Sequence, residues 1–430
     1  MLKHLKTIKV GPASEMDLVF GERLNLLTGD NGLGKSFILD ICWWALTRKW
    51  PAEVNAKLTS GKKASPANGG KASIDFTFVG KAKEESYEST FDRQEQAWTG
   101  RAGRPSNPGL VLYAQVDGSF AVWDPARNYW RKKGGIDVQD RPPAYVFSPI
   151  EVWDDLVGPD GKPLCNGLIR DWAGWQKENG KAFEHLCSVL NALSSSNTES
   201  LVPGKLTRIS LDDSRDIPTL KMPYGQEVPV LHASAGTKRI IAIAYLLVWA
   251  WEEHKKASLL LNQETTNQII FLIDEIESHL HPRWQRRILK ALVEVMDSLT
   301  PQTQVQIIAA THSPLVLASL EPLFDGHKDA WFDLDYDENQ AQSKVVLTRR
   351  DFELHGEASN WLTSEAFDLA SARSLESEQL LEEASALLDK SGVNSSEIEA
   401  MTARLATALN PKDSFLFRWR AICEKRGLLK

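Results

Sequence analysis

The chain has 430 residues, of which 42% are hydrophobic and 25% charged, and it carries a net charge of −7 at neutral pH. That apolar share excludes a disordered chain, and the length suits one large or two ordinary domains. The negative balance excludes a surface that attracts nucleic acid as a whole, so any DNA or RNA contact needs a local basic patch.

In chain order, Met1-Leu2-Lys3-His4-Leu5-Lys6 lacks the apolar run and cleavage site of a signal peptide. The cysteines, Cys42, Cys165, Cys187 and Cys423, form no CxxC pair and no zinc spacing. Both features suggest a reduced, cytoplasmic protein. Residues 5–10 and 24–28 read as short strands. Between the second strand and a helical pattern over residues 37–50 stands Gly29-Asp30-Asn31-Gly32-Leu33-Gly34-Lys35-Ser36, a full match to G-x-x-x-x-G-K-[ST]. Glycines at Gly29, Gly32 and Gly34 let the backbone curl, so that N–H groups around Asn31 point at phosphate oxygens. The helix starting at Lys35 adds its positive end. Lys35 suits the β- and γ-phosphates, and the Ser36 hydroxyl suits Mg²⁺.

Residues 60–71 form a loop rich in Gly, Lys, Ser, Pro and Ala. Residues 72–79 alternate like a strand, with Ile74, Phe76 and Phe78 on one side. Residues 110–115 and 120–123 read as two strands joined at Asp117-Gly118. Residues 70–150 therefore predict an antiparallel β layer. Residues 164–193 look helical, with Trp172, Trp175, Phe183, Leu186 and Leu190 as apolar positions, and form a lobe without the heptads of a coiled-coil arm.

Ser234-Ala235-Gly236 precedes the most apolar stretch, residues 240–251. A helix start with Ser and Gly offers a hydroxyl and bare amides to an anion, although an ordinary N-cap reads the same. The stretch is shorter than the roughly 20 apolar residues that span a bilayer, so a core helix is expected and no membrane contact. Residues 269–273 are a continuous apolar run ending in Asp274-Glu275. Such a strand, buried on both faces, delivers its carboxylates to the edge where α/β sheets bind ligands. Asp274 there suits Mg²⁺ and Glu275 suits a general base. A helix over residues 284–299 and a strand over 305–309 complete a β-α-β unit. Thr311-His312-Ser313 follows, so His312 can reach a γ-phosphate; a capping turn before Pro314 is the other reading. A strand over 344–348 and a helix over 374–388 close the pattern.

These motifs, in this order, resemble the ABC-type ATPases of the SMC, RecF and OLD-like branch, over about residues 1–320. The Walker A loop matches Gly29 to Ser36, the signature Ser234-Ala235-Gly236, Walker B and its glutamate Asp274 and Glu275, and the switch histidine His312. Asp274-Glu275-Ile276-Glu277-Ser278-His279-Leu280-His281-Pro282 resembles the D-loop form of phage-defence ATPases such as those of Septu and PARIS. The resemblance implies an α/β head with a mixed or parallel core sheet, an antiparallel β layer and a helical lobe. It divides the chain into an N-terminal ATPase lobe (1–150), a helical insert (151–230), a C-terminal ATPase lobe (231–350) and a helical extension (351–430). It also implies ATP and Mg²⁺ as ligands, and a homodimer or higher homo-oligomer closed by ATP between heads. In that dimer Ser234 and Gly236 of one copy would serve the partner's nucleotide. With no nuclease recognisable in the chain, the expected role is a sensor or regulator of an antiphage system with a separate nuclease or toxin effector. A RecF-like DNA clamp and a transporter subunit are the alternatives.

Two features depart from that pattern. His232 and Ala233 stand where the signature has leucine, and the Q-loop glutamine is open between Gln115 and Gln139, its usual chain position falling nearer residues 148–151. Hydrolysis is accordingly expected to be slow or partner-gated. His279 and His281 lack a third ligand at helical spacing, and Asp333-Leu334-Asp335-Tyr336-Asp337 reads as a solvated acidic turn. Basic candidates for DNA or RNA contact are Lys57, Lys62, Lys63 and Lys71; Arg127, Arg131, Lys132 and Lys133 near Trp123, Tyr129 and Trp130; and Arg283, Arg286, Arg287 and Lys290. The aromatic tail around Phe415, Phe417 and Trp419 suits either a partner or its own domain.

Overall fold

Several short runs of this chain are apolar at nearly every residue, and they become the middle of one sheet. A computed structural model describes residues 1–67, 70–81, 83–100, 107–128, 142–158, 160–196, 199–337, 344–390 and 393–428. It divides into two compact units, Met1–Gly356 and Glu357–Lys430.

The strands of the two larger sheets in the first unit are β1 (Leu2–Ile8), β2 (Glu15–Val19), β3 (Leu24–Gly29), β4 (Ser73–Val79), β5 (Glu84–Asp92), β6 (Ala97–Trp98), β7 (Leu110–Ala114), β8 (Phe120–Trp123), β9 (Tyr145–Phe147), β10 (Gln268–Ile273), β11 (Gln304–Ala310), β12 (Ala330–Asp337) and β13 (Lys344–Arg350). The principal sheet has eight strands in the order β13-β12-β3-β11-β10-β7-β8-β9. Its centre, β12-β3-β11-β10-β7, is parallel, and β13, β8 and β9 join antiparallel at the edges. Parallel strands covered on both faces lose the alternation of half-exposed ones, which is why β7 and β10 are buried along their whole length.

A second, antiparallel sheet runs β2-β1-β4-β5-β6. Here the alternation in β4 holds, with Ile74, Phe76 and Phe78 buried. The antiparallel layer expected over residues 70–150 is therefore split. Its first half joins β1 and β2, whereas β7–β9 extend the principal sheet. The apolar run of β7 leaves it no solvent face, so it pairs beside β10 instead.

Helix α1 (Lys35–Thr47) lies between the two sheets. Ile38, Ile41, Cys42 and Trp43 share one core with Leu5, Phe76, Val111, Ile270 and Ile308. Burying each such side chain contributes about 1.5–3 kcal/mol, so the loop before α1 is anchored on a stiff support. The helical lobe is two helices, α2 (Gly167–Glu178) and α3 (Lys181–Ala192), because Asn179 takes a left-handed conformation and Gly180 follows. Both pack on α4 (Ala235–Leu260), whose Trp249 meets Tyr145 and Phe147 edge-on. Among the described residues no helix is long and apolar enough to cross a membrane. Helix α5 (Ile288–Leu299) closes the β10-α5-β11 crossover.

Asp333 does not sit in a solvated turn. It lies buried on β12, accepting a hydrogen bond of 2.6 Å from Thr28 and pairing with Arg350 at 3.3 Å. In the second unit, helices Leu375–Asp389, Ser395–Ala408 and Ser414–Lys425 enclose Leu380, Ile398, Leu405, Leu416 and Trp419. Two of the tail's apolar residues, Leu416 and Trp419, thus pack within their own unit, and Phe417 is exposed.

Candidate functional site

The turn after β3 is shaped by its glycines. Gly29 has a φ of +122°, and a Cβ there would stand 2.1 Å from the Leu334 carbonyl oxygen. Gly34 caps α1 at φ +106°, where a Cβ would meet Pro12 at 2.7 Å. Leu33 is buried as an anchor, while Asn31, Gly32 and Ser36 are exposed. No side chain caps the amino end of α1, so its first N–H groups stay free for an anion. Lys35 folds back along the loop, its ammonium donating to the carbonyls of Gly29 at 2.7 Å and Asp30 at 2.8 Å. Burial lowers its pKa to about 8, against the attraction of Glu275, Asp274 and Asp30. A phosphate would repay that desolvation with a second set of acceptors.

Asp274 stands at the tip of β10, its N–H bonded to the Ala114 carbonyl at 2.9 Å. Its carboxylate is held up at about 6, first by burial and then by Glu275, while a hydrogen bond from Ser36 opposes the shift. Oδ1 of Asp274 is buried without a hydrogen-bond partner. An orphaned carboxylate oxygen beside a hydroxyl is a set of hard donors that fits Mg²⁺. Two neighbours complete this floor. Arg239, from the apolar helix α4, donates to the carbonyls of Gln115 at 2.6 Å and Asp274 at 3.1 Å. Gln115, directly after β7, is fully buried with its amide nitrogen unpartnered. Of the two Q-loop candidates, Gln115 thus lies one strand from Asp274; Gln139 falls outside the described residues.

Glu275 adopts φ +44°, a conformation that non-glycine residues enter only under constraint. Its Oε1 lies 3.7 Å from Nε2 of His312 at the tip of β11. Burial and then the charge of Lys35 lower the His312 pKa, with Glu275 opposing. The imidazole is therefore neutral at pH 7. Glu277 went unnoticed in the sequence except as part of a string. It accepts a hydrogen bond from the Thr311 hydroxyl at 2.8 Å and another, short one, from the His312 N–H.

Asp40, one turn into α1 beyond Ser36, was also missed. Burial pushes its carboxyl up to about 7, and Tyr113 donates to it at 2.9 Å. A folded pKa above the unfolded value favours the protonated fold. This stabilisation is present below pH 4 and lost as pH rises towards 7. Asp40→Asn removes the penalty, by at most on the order of 4 kcal/mol at pH 8. Its melting temperature should exceed that of the wild type at pH 8 and lose the advantage by pH 4. Equal differences at both pH values would contradict the assignment.

Ser234 caps α4, its hydroxyl accepting from the Thr237 N–H at 3.2 Å. Gly236 touches the D-loop form, since a Cβ there would stand 2.5 Å from the His279 carbonyl oxygen. No hydrogen bond among the described residues joins Ser234 or Gly236 to the loop of residues 29–36. His281 instead caps a short helix by accepting from the Arg283 N–H at 3.3 Å. Many of the basic candidates are paired. Lys57 meets Glu151, Lys63 meets Glu53, Arg127 meets Glu253 and Arg283 meets Glu199, at 2.6, 3.1, 2.5 and 3.1 Å. Trp123 is buried and cannot stack on a base. Tyr129, Trp130, Arg131, Lys132 and Lys133 lie outside the described residues.

The site thus sets a glycine loop that opens a helix beside an acidic strand tip on a parallel sheet. Residues 24–318 match the family described as "AAA domain, putative AbiEii toxin, Type IV TA system", and the chain belongs to that family. Septu protein PtuA of Bacillus thuringiensis is 24% identical over 321 residues, covering 73% of this chain and 72% of its own length. The retron Vc95 probable ATPase of Vibrio cholerae is 32% identical over 117 residues, 26% of this chain, which thereby spans only 20% of that protein. The SMC head domain from Thermotoga maritima aligns with 81% of this chain and 98% of its own, at 14% identity and a TM-score of 0.37. The chain is an ATPase of AAA type, related to Septu protein PtuA and to the retron ATPase.

Proposed function

We propose that the chain binds and hydrolyses ATP at the edge formed by β3, β10 and β11, and that two copies close on the nucleotide. The observation that carries this reading is the buried, unpartnered Oδ1 of Asp274 beside Ser36, at the uncapped start of α1. Lys35 turns from the Gly29 and Asp30 carbonyls to the β- and γ-phosphates, and the N–H groups around Asn31, Gly32 and Gly34 hold the remaining oxygens. Ser36 and Asp274 would hold Mg²⁺, which supplies charge neutralisation on the phosphates. Glu275 accepts the proton of the attacking water at its carboxylate. His312, neutral, donates to the γ-phosphate. Among the described residues Ser234 and Gly236 make no hydrogen bond to their own loop, which supports their serving the γ-phosphate of a second copy, in a two-fold arrangement. Because those contacts exist only with the γ-phosphate present, its loss favours opening.

The kinship with Septu and retron ATPases supports a role in antiviral defence, as the regulator of a separate nuclease or toxin. The pairing of several basic side chains with carboxylates weakens the case for a RecF-like clamp. Light scattering tests the first part: Mg²⁺–ATP should double the mass of the first-formed species, and an unchanged mass at saturating ATP would refute the closure. Co-expression with the protein encoded beside it tests the second. A stable complex is expected, and DNA cleavage by this chain alone would count against a separate effector.

A further inference from the structure

The main chain of His312 is held from another strand tip. Thr311 continues β11 by donating its N–H to the Leu27 carbonyl at 3.0 Å. Beyond that bond the sheet ends, and the next backbone donor, the His312 N–H, goes to Glu277. The two carboxylate oxygens are divided between two donors, Oε2 for the Thr311 hydroxyl at 2.8 Å and Oε1 for the His312 N–H. Thr311 Oγ1 in turn accepts the Ser313 N–H at 3.1 Å. A second tie runs in parallel, from the Ser313 hydroxyl to Gln285 Oε1 at 2.8 Å. An ionised carboxylate is the fitting group here, because it accepts at both oxygens and donates at neither. Charge-assisted bonds of this kind are also the stronger ones.

We propose that Glu277 is a positioning residue that sets the main chain of His312 so that its imidazole faces the γ-phosphate. The inference rests on the reading of His312 given above. Glu277 acts through the histidine, since its two carboxylate oxygens accept from the Thr311 hydroxyl and the His312 N–H. A side chain that only stabilised the fold would weaken the protein without changing how it distinguishes a triphosphate from a diphosphate.

The test is a double-mutant cycle on the full chain, read by calorimetry as the affinity for a non-hydrolysable ATP analogue relative to ADP, both with Mg²⁺. Glu277→Ala and His312→Ala should each reduce that ratio by roughly tenfold, the scale of a lost charge-assisted hydrogen bond. The double variant should fall no further than His312→Ala alone. Glu277→Gln should keep the ratio within about threefold, since its oxygen can accept from the His312 N–H and its nitrogen can donate to Thr311. It also serves as the working variant if the alanine form does not fold. Loss of the ratio in Glu277→Gln equal to that in His312→Ala, or independent and multiplying effects in the double variant, would overturn the inference while leaving the ATPase reading intact. An unchanged ratio in His312→Ala would overturn the underlying reading of the histidine, and the inference with it.

Discussion

Lys35→Ala is expected to abolish useful ATP binding. In the structure the ammonium already spends its donors on two loop carbonyls, and it is held in a site where burial works against its charge. Nucleotide offers acceptors that carry full charge, and each such bond contributes about 1.5–3 kcal/mol. Losing two of them lowers affinity by roughly a hundredfold or more. The loss should be larger than a count of bonds suggests, because Asp274 and Glu275 would then face the phosphates without the cation between them. The fold should survive, since Asp30 is exposed and Gly29 only half-buried, so water can take the place of the ammonium. Titration of a fluorescent ATP analogue against a folded variant measures this directly. An affinity within tenfold of the wild type would show that the loop does not grip a triphosphate through Lys35.

Glu275→Gln should have the opposite phenotype at the level of assembly. The amide matches the carboxylate in size but cannot accept a proton, so turnover is expected to fall by about 10²–10⁴. Binding should persist, because neither Lys35 nor Asp274 is altered. The imidazole of His312 should stay neutral as well, since the charge of Glu275 is what opposes the lowering of its pKa. With the γ-phosphate uncleaved, the closed pair should accumulate and run as a stable dimer after gel filtration in ATP. Lys35→Ala should never form it. Normal hydrolysis by Glu275→Gln would move the base to another residue.

The tether of Glu277 to Thr311 and His312 and the orphaned oxygen of Asp274 share an origin. Both arise where parallel strands end side by side, leaving donors and acceptors that the sheet no longer pairs. Of these groups, Asp274 and His312 were legible in the sequence and Glu277 was not. An apolar run ending in Asp274-Glu275 is a local pattern. Nothing local in Glu277 announces that its partner lies on a different strand. Arg239 was hidden in the same way: it reads as a charge flanking an apolar helix, yet it ties the ends of β7 and β10. Asp40 looked like one polar position on a helix, and only the approach of Tyr113 from β7 shows it as a buried carboxyl.

The amino-acid sequence by itself determined the loop of residues 29–36 and the strands that carry the acidic pair and the histidine. Glycine freedom, helix polarity and hydrophobic periodicity act over a few neighbouring residues, so they can be read in one dimension. Tertiary structure alone decided that β7 joins the principal sheet next to β10, which sets Gln115 beside Asp274, and that β7, β8 and β9 leave the antiparallel layer. Strand order is chosen by which buried faces cover one another across long stretches of chain, and that competition has no local signature.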